Sequence, residues 1–198
     1  MEPHVNGNID RLFNMLNTHT EVRYCKTWDV SKVLDFHRKL TPVRFLSLKD
    51  LTLKMIMLIA LSSACRAQSL HLLGIDKMVK GAKCFTLFYY GLLKQSRPGY
   101  NEAFLELFSY PPDRRLCVIF VLNEYLSRTE KLRGNCQNLC TSYVKPFGPV
   151  SREIISRWLK TVMSSSGIHH IVLDQQLFLR LIRMLFQLKK KHAKSRLD

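Results

Sequence analysis

Arg66 follows the most apolar stretch of the chain, in the run Ser62-Ser63-Ala64-Cys65-Arg66-Ala67-Gln68-Ser69-Leu70-His71-Leu72-Leu73. A guanidinium stays charged in a protein, and setting one against a core is costly unless it meets a partner. Thirty-one Lys and Arg stand against fifteen Asp and Glu, a formal net charge of +16, so spare carboxylates are few. An external anion is therefore a natural partner for Arg66. The alternative is that the side chain satisfies carbonyl groups at the C-terminal end of its own helix. Further cations follow at Lys94 and Arg97, and Arg180, Arg183 and Gln187 share one stripe at i, i+3 and i+7.

The charge balance corresponds to a pI near 9.9. Such a chain favours polyanionic partners, nucleic acid above all, with anionic membrane as the lesser option. At 198 residues and 46% hydrophobic, it is long enough for one sizeable domain with a real core. Its six cysteines fall at 25, 65, 84, 117, 136 and 140, and only Cys136 and Cys140 are close. No second pair or nearby histidine completes a four-ligand set, so no metal is expected, and no cofactor. The N-terminus shows no charged-then-apolar signal pattern, which points to the nucleus or cytoplasm rather than secretion. The longest uncharged apolar run, Met55 to Cys65, is eleven residues and too short to span a bilayer.

The elements that must position these cations follow from pattern and punctuation. Asp29 or Ser31 can cap a helix that Pro42 ends. Ser47 caps the next, with Asp50 three residues on, and Leu48, Leu51, Leu53, Met55, Ile56, Leu58, Ile59 and Leu61 make it apolar on most sides. That pattern predicts a central buried helix running into the Arg66 segment. Cys84 to Tyr90 is β-branched and aromatic, Leu92-Leu93-Lys94 extends it, and Ala103 to Phe108 returns as a second strand. Lys94 and Arg97 then sit at the tip of a β-hairpin, where on their own they also read as solvated charges. Asp113 caps a helix from Arg114 to about Ser127 with Val118, Val121, Leu122 and Tyr125 on its apolar face. Leu139 to Val144 reads as a short strand or loop. Ser151 caps a last helix carrying Ile154, Ile155, Trp158, Leu159 and Val162, which stops at Ser164-Ser165-Ser166-Gly167. The expectation is an α+β, mainly α-helical domain with a small antiparallel sheet.

In that order, several segments resemble the tyrosine recombinase (phage-integrase-like) family, closest to the eukaryotic Crypton and DIRS-type transposon recombinases. They are Trp28 to Asp35, Arg66 to Leu73, Leu93 to Gly99, Asp113 to Val118 and Ser151 to Trp158. The resemblance covers roughly residues 8 to 167 and implies a fold of the DNA breaking-rejoining type. It implies residues 1–20 as the remnant of an upstream core-binding region and linker, and 21–167 as a partial catalytic domain. The family cuts double-stranded DNA by attack of a tyrosine on the scissile phosphate, forming a 3′-phosphotyrosyl link. Arginines hold the phosphate oxygens while a hairpin lysine protonates the leaving 5′-oxygen. By resemblance Arg66 is the first arginine and Lys94 the hairpin lysine, with Arg97 close enough to share the register. Ser69 stands where many relatives have glutamate.

The rest of the family pattern is missing. None of the seven histidines has arginine three positions on, and the last tyrosine is Tyr143. Arg180 stands near the expected distance after Gly167, but Leu177 takes the histidine slot. Residues 168–198 read instead as a divergent amphipathic helix and a basic tail, as if a shifted frame or altered splice had replaced the C-terminus. The expected function is DNA binding by a catalytically incomplete protein of recombinase descent, associated with DNA integration and recombination. Two alternatives stand beside it: an active subunit completed in trans by a full-length recombinase or a second copy, and a non-enzymatic interaction module.

Overall fold

The computed structural model describes residues 29–91 and 104–168. The expected remnant at 1–20 lies outside them, as do Lys94, Arg97, Arg180 and all but Ile168 of the expected C-terminal helix and tail. About 49% of the described residues are helical, with one three-stranded antiparallel sheet, so the fold is α+β and mainly α-helical.

Helix α1 spans Val30–Lys39 and opens on Asp29, whose carboxylate accepts the Ser31 backbone N–H at 2.9 Å. Helix α2 spans Leu48–Ser63. Its cap Ser47 accepts the Asp50 N–H at 3.0 Å and donates its hydroxyl to the Asp50 carboxylate at 2.6 Å. Every residue of α2 from Leu51 to Ala60 is buried, so the helix is sheathed on all sides. The sheath is made by α4 (Val118–Thr129), α5 (Arg152–Ser165) and the sheet. The sheet runs in the order β1 (Val79–Lys80), β2 (Cys84–Phe88), β3 (Phe104–Phe108). Phe85, Leu87, Leu105 and Leu107 face the core, at alternate positions of β2 and β3. The helix faces anticipated at Val118, Val121, Leu122 and Tyr125, and at Ile155, Trp158, Leu159 and Val162, are buried.

Two helix boundaries differ from the sequence reading. Asp113 caps a 3-10 turn, Arg114–Leu116, and α4 begins only at Val118, with Cys117 between them. The stretch from Leu139 to Val144, read as a short strand or loop, is a loop, with isolated bridges from Thr141 to Pro149 within it and from Asn138 to Gly74 just before it. The central helix does not continue to Arg66: Ala64 adopts a left-handed conformation (φ 55°) and closes it. A separate short helix, α3, covers Ala67–His71.

One charge lies inside this core. Lys54 is fully buried in α2, and its ammonium donates to the carbonyls of His37 at 2.8 Å and Leu40 at 2.7 Å. It thereby closes the C-terminal end of α1, where the helix dipole favours a cation. Burial holds its ammonium down to about 8, against the pull of Asp113. Beneath it, the His37 imidazole is fully buried with both ring nitrogens unpartnered. Burial first, and the Lys54 charge second, push His37 down to about 3.

The His37 shift sets a pH dependence. The ordinary histidine value of 6.5 applies to the unfolded chain, so between pH 6.5 and 3 the unfolded state binds a proton that the folded state refuses. Stability therefore falls as pH drops through that window, by about 2–3 kcal/mol at pH 4.5 from this group alone. Replacing His37→Leu removes the unpaired nitrogens. In urea titrations at pH 7 and pH 4.5 the variant should match or exceed the parent at pH 7 and lose less on acidification. An acid loss equal to the parent's would show that His37 does not govern it.

Candidate nucleic-acid interface

Arg66 sits in the break between α2 and α3. At the end of α2 the hydroxyls of Ser62 and Ser63 turn back onto the Ile59 carbonyl, at 3.2 and 2.6 Å, and the left-handed Ala64 then ends the helix. Arg66 takes an extended conformation (φ −78°, ψ 160°) as the first flank of α3, and its carbonyl accepts the Leu70 N–H at 2.9 Å. Its backbone is fixed from both sides. Cys65 before it is buried with Sγ 3.4 Å from the Tyr89 hydroxyl, and Ala67 and Leu70 after it enter the core.

The side chain is half-buried, and among the described residues it makes no hydrogen bond and no ion pair. The alternative role, satisfying the last carbonyls of α2, is therefore not what this guanidinium does. Arg133 shows the contrast. It is equally cationic and buried, but donates to the Asn138 carbonyl at 2.9 Å and the Thr129 hydroxyl at 2.5 Å, with its guanidinium 5.7 Å from the Tyr125 ring centre. That arginine stitches a loop to α4. Arg66 stitches nothing.

The base of the hairpin comes to the same place. Leu73 bridges to Tyr89, and the Tyr90 N–H donates to the Leu72 carbonyl at 2.9 Å, so the chain leaves β2 alongside the end of α3. His71 joins α3 to the loop before α5 through Nδ1, 2.9 Å from the Val150 carbonyl. Tyr90 is held by Gln137 and Asp76, and it packs so closely over Gly74 that a Cβ there would run into its ring. Lys94 and Arg97 continue from this base but lie outside the described residues, as does Arg180, so Arg66 is the one anticipated site residue whose surroundings are defined. Ser69, at the position of the family's glutamate, is half-buried on α3.

No described tyrosine with a shifted hydroxyl is shifted in the direction a nucleophile requires. Partial burial and the Asp76 carboxylate push Tyr90 up to about 12, and burial raises Tyr125. Among the described residues the ion pairs use only Arg38, Arg115 and Arg152, with Asp35, Asp113 and Glu153 as acceptors. The five described cysteines are free thiols, and burial pushes Cys140 up to about 12. No group of three or more His, Cys, Asp or Glu among the described residues is placed to hold a metal ion. No described helix is long and apolar enough to cross a membrane.

The sequence reading passed over Lys54, His37 and Arg133, which carry the buried polar chemistry. A signal for Lys54 was present, since it is the one charge in the buried run from Leu51 to Ala60. Comparison of the chain with protein-family models, with curated proteins and with solved structures returns no match.

The contrast between the two arginines can be measured. Arg66→Ala removes a side chain without internal partners and should change unfolding free energy by no more than about 1 kcal/mol. Arg133→Ala removes a buried side chain together with its bonds to the Asn138 carbonyl and the Thr129 hydroxyl, and should cost about 2 kcal/mol or more. Denaturant titration of both variants distinguishes them. Equal losses would mean that Arg66 has a structural role.

Proposed function

We propose that the chain is a DNA-binding protein of tyrosine-recombinase descent, associated with DNA integration and recombination and catalytically incomplete. The observation that carries the reading is Arg66, a guanidinium anchored at its backbone, half-buried, and free of any internal partner among the described residues. Arginine in that state suits the planar, bidentate recognition of a phosphate. The base of the hairpin beside it is where a second cation would be delivered, and Lys94 and Arg97 are the residues so delivered in this reading. Arg180 is the weaker candidate for the second arginine. The excess of Lys and Arg supplies the sequence-independent part of the affinity, as salt-dependent contacts with the phosphate backbone.

Catalysis is incomplete in this reading because the sequence has no His-x-x-Arg and no tyrosine beyond Tyr143. Such a protein holds DNA and does not form the covalent intermediate from its own residues. Its partners in this reading are double-stranded DNA and a full-length recombinase or a second copy, and its place is the nucleus or cytoplasm.

Fluorescence anisotropy of a labelled duplex tests the reading. Affinity should fall linearly with salt on logarithmic axes, with a slope of about −0.9 per phosphate contacted. Arg66→Ala should flatten the slope by about one contact and weaken binding about three- to tenfold at fixed salt. Absence of duplex binding at low ionic strength by the folded protein would overturn the proposal. Unchanged binding by Arg66→Ala would remove Arg66 from the interface.

A further inference from the structure

A cavity of about 380 Å³ lies at the end of α2 opposite Arg66. It is framed by the first turns of α2 (Lys49, Leu53), the proline-bearing loop from Ser142 to Val150, and one face of α5 carrying Ile154, Arg157, Trp158 and Thr161. Leu53, Val150 and Trp158 are buried. The Tyr143 ring packs on the Trp158 ring, with centroids 5.2 Å apart and a tilt of 31°, and because Trp158 is buried the aromatic surface facing the cavity is chiefly that of Tyr143. Its volume falls in the range of small-molecule sites, and its chemistry is the usual one for them: an apolar body with a few polar groups.

Those polar groups are of one sign. Lys49 and Arg157 are exposed, and neither cation makes an ion pair or hydrogen bond among the described residues. No described carboxylate lines the cavity. The two acids adjacent to the lining residues in sequence are engaged elsewhere: Asp50 with Ser47 at 2.6 Å, and Glu153 with Arg152 at 2.8 Å. The lining hydroxyls of Ser142 and Thr161 are also used locally, donating to the carbonyls of Val144 and Arg157. The charged groups that line the cavity are thus two cations without a paired carboxylate, beside an apolar wall.

We propose that this cavity binds a small organic anion with a planar aromatic body, of the aryl carboxylate class. The ring packs on the Tyr143 and Trp158 side, and the carboxylate faces Lys49 and Arg157. The site is separate from the proposed DNA contact. Arg66 is not among the residues that line it.

Titration of the full chain with 2-naphthoate, followed by amide and indole N–H shifts in NMR, tests the assignment. Saturable shifts confined to Trp158, Tyr143, Thr161 and their neighbours are expected, with a dissociation constant below about 1 mM. Uncharged 2-naphthylmethanol should bind the same residues about fivefold or more weakly, because it forfeits the charge contacts. The double variant Lys49→Gln, Arg157→Gln should lose that advantage for naphthoate and keep the parent's affinity for the alcohol, which also reports that the variant is folded. Three results would each overturn the proposal: no saturable shift with naphthoate, shifts scattered over the surface, or equal affinity of the parent for acid and alcohol. None of these bears on duplex binding, so this inference and the DNA reading fail independently.

Discussion

The structure depends on a helix that must be covered on every side and carries a lysine in its middle. From Leu51 to Ala60 helix α2 is buried on every face, and α4, α5 and the sheet form its sheath. Lys54 cannot reach solvent from there. The ammonium is accommodated only because two carbonyls at the end of α1, those of His37 and Leu40, turn toward it. This contact sets where α1 lies. Asp113 fixes it from the other side by accepting Arg38 Nε at 3.1 Å while also bonding Arg115, an arrangement that holds its carboxyl down to about 2. His37 is sealed beneath as a consequence, and its unpaired ring is the cost of closing α1 on a buried charge.

The same helix decides what Arg66 can do. Had α2 run on as one rod, Arg66 would lie on its last turn, within reach of its own terminal carbonyls. The left-handed Ala64 turns the chain away, and the serine hydroxyls occupy the Ile59 carbonyl before the arginine begins. Arg66 is left with a rigid root and an unbonded head. Mutual repulsion of the many cations on this chain makes a protein anion a scarce partner, so the free guanidinium and the charge excess point the same way.

The elements that were legible in the sequence are those written in caps and periodicity. Ser47 with Asp50, Ser151, and the apolar stripes of α4 and α5 each specify a local structure that tertiary packing then keeps. The elements that were not legible depend on distant partners. Strand β1 is two residues long and exists because Val79 and Lys80 pair with Thr86 and Phe85. Helix α3 has five residues, too few to form alone, and is held by Leu70 in the core and His71 on Val150. The late start of α4 has the same origin. Asp113 is a good cap in any context, but its double engagement with Arg38 and Arg115 holds the next residues in a 3-10 turn before the helix proper begins. For the candidate site, Arg66 was legible as an anomalous charge beside an apolar run. Its freedom was not, because a pattern of residue types cannot say whether Ala64 continues a helix or ends it.

The two proposed anion contacts on this basic domain use different residues and differ in what stands beside each cation. Arg66 follows the left-handed Ala64 in a segment anchored by its backbone, which suits the proposed polyanion with a surface of its own. Lys49 and Arg157 stand beside Tyr143 and an apolar lining, which suits the proposed small ligand. In these two proposals the recognition chemistry differs by the surface beside each cation rather than by the cation itself.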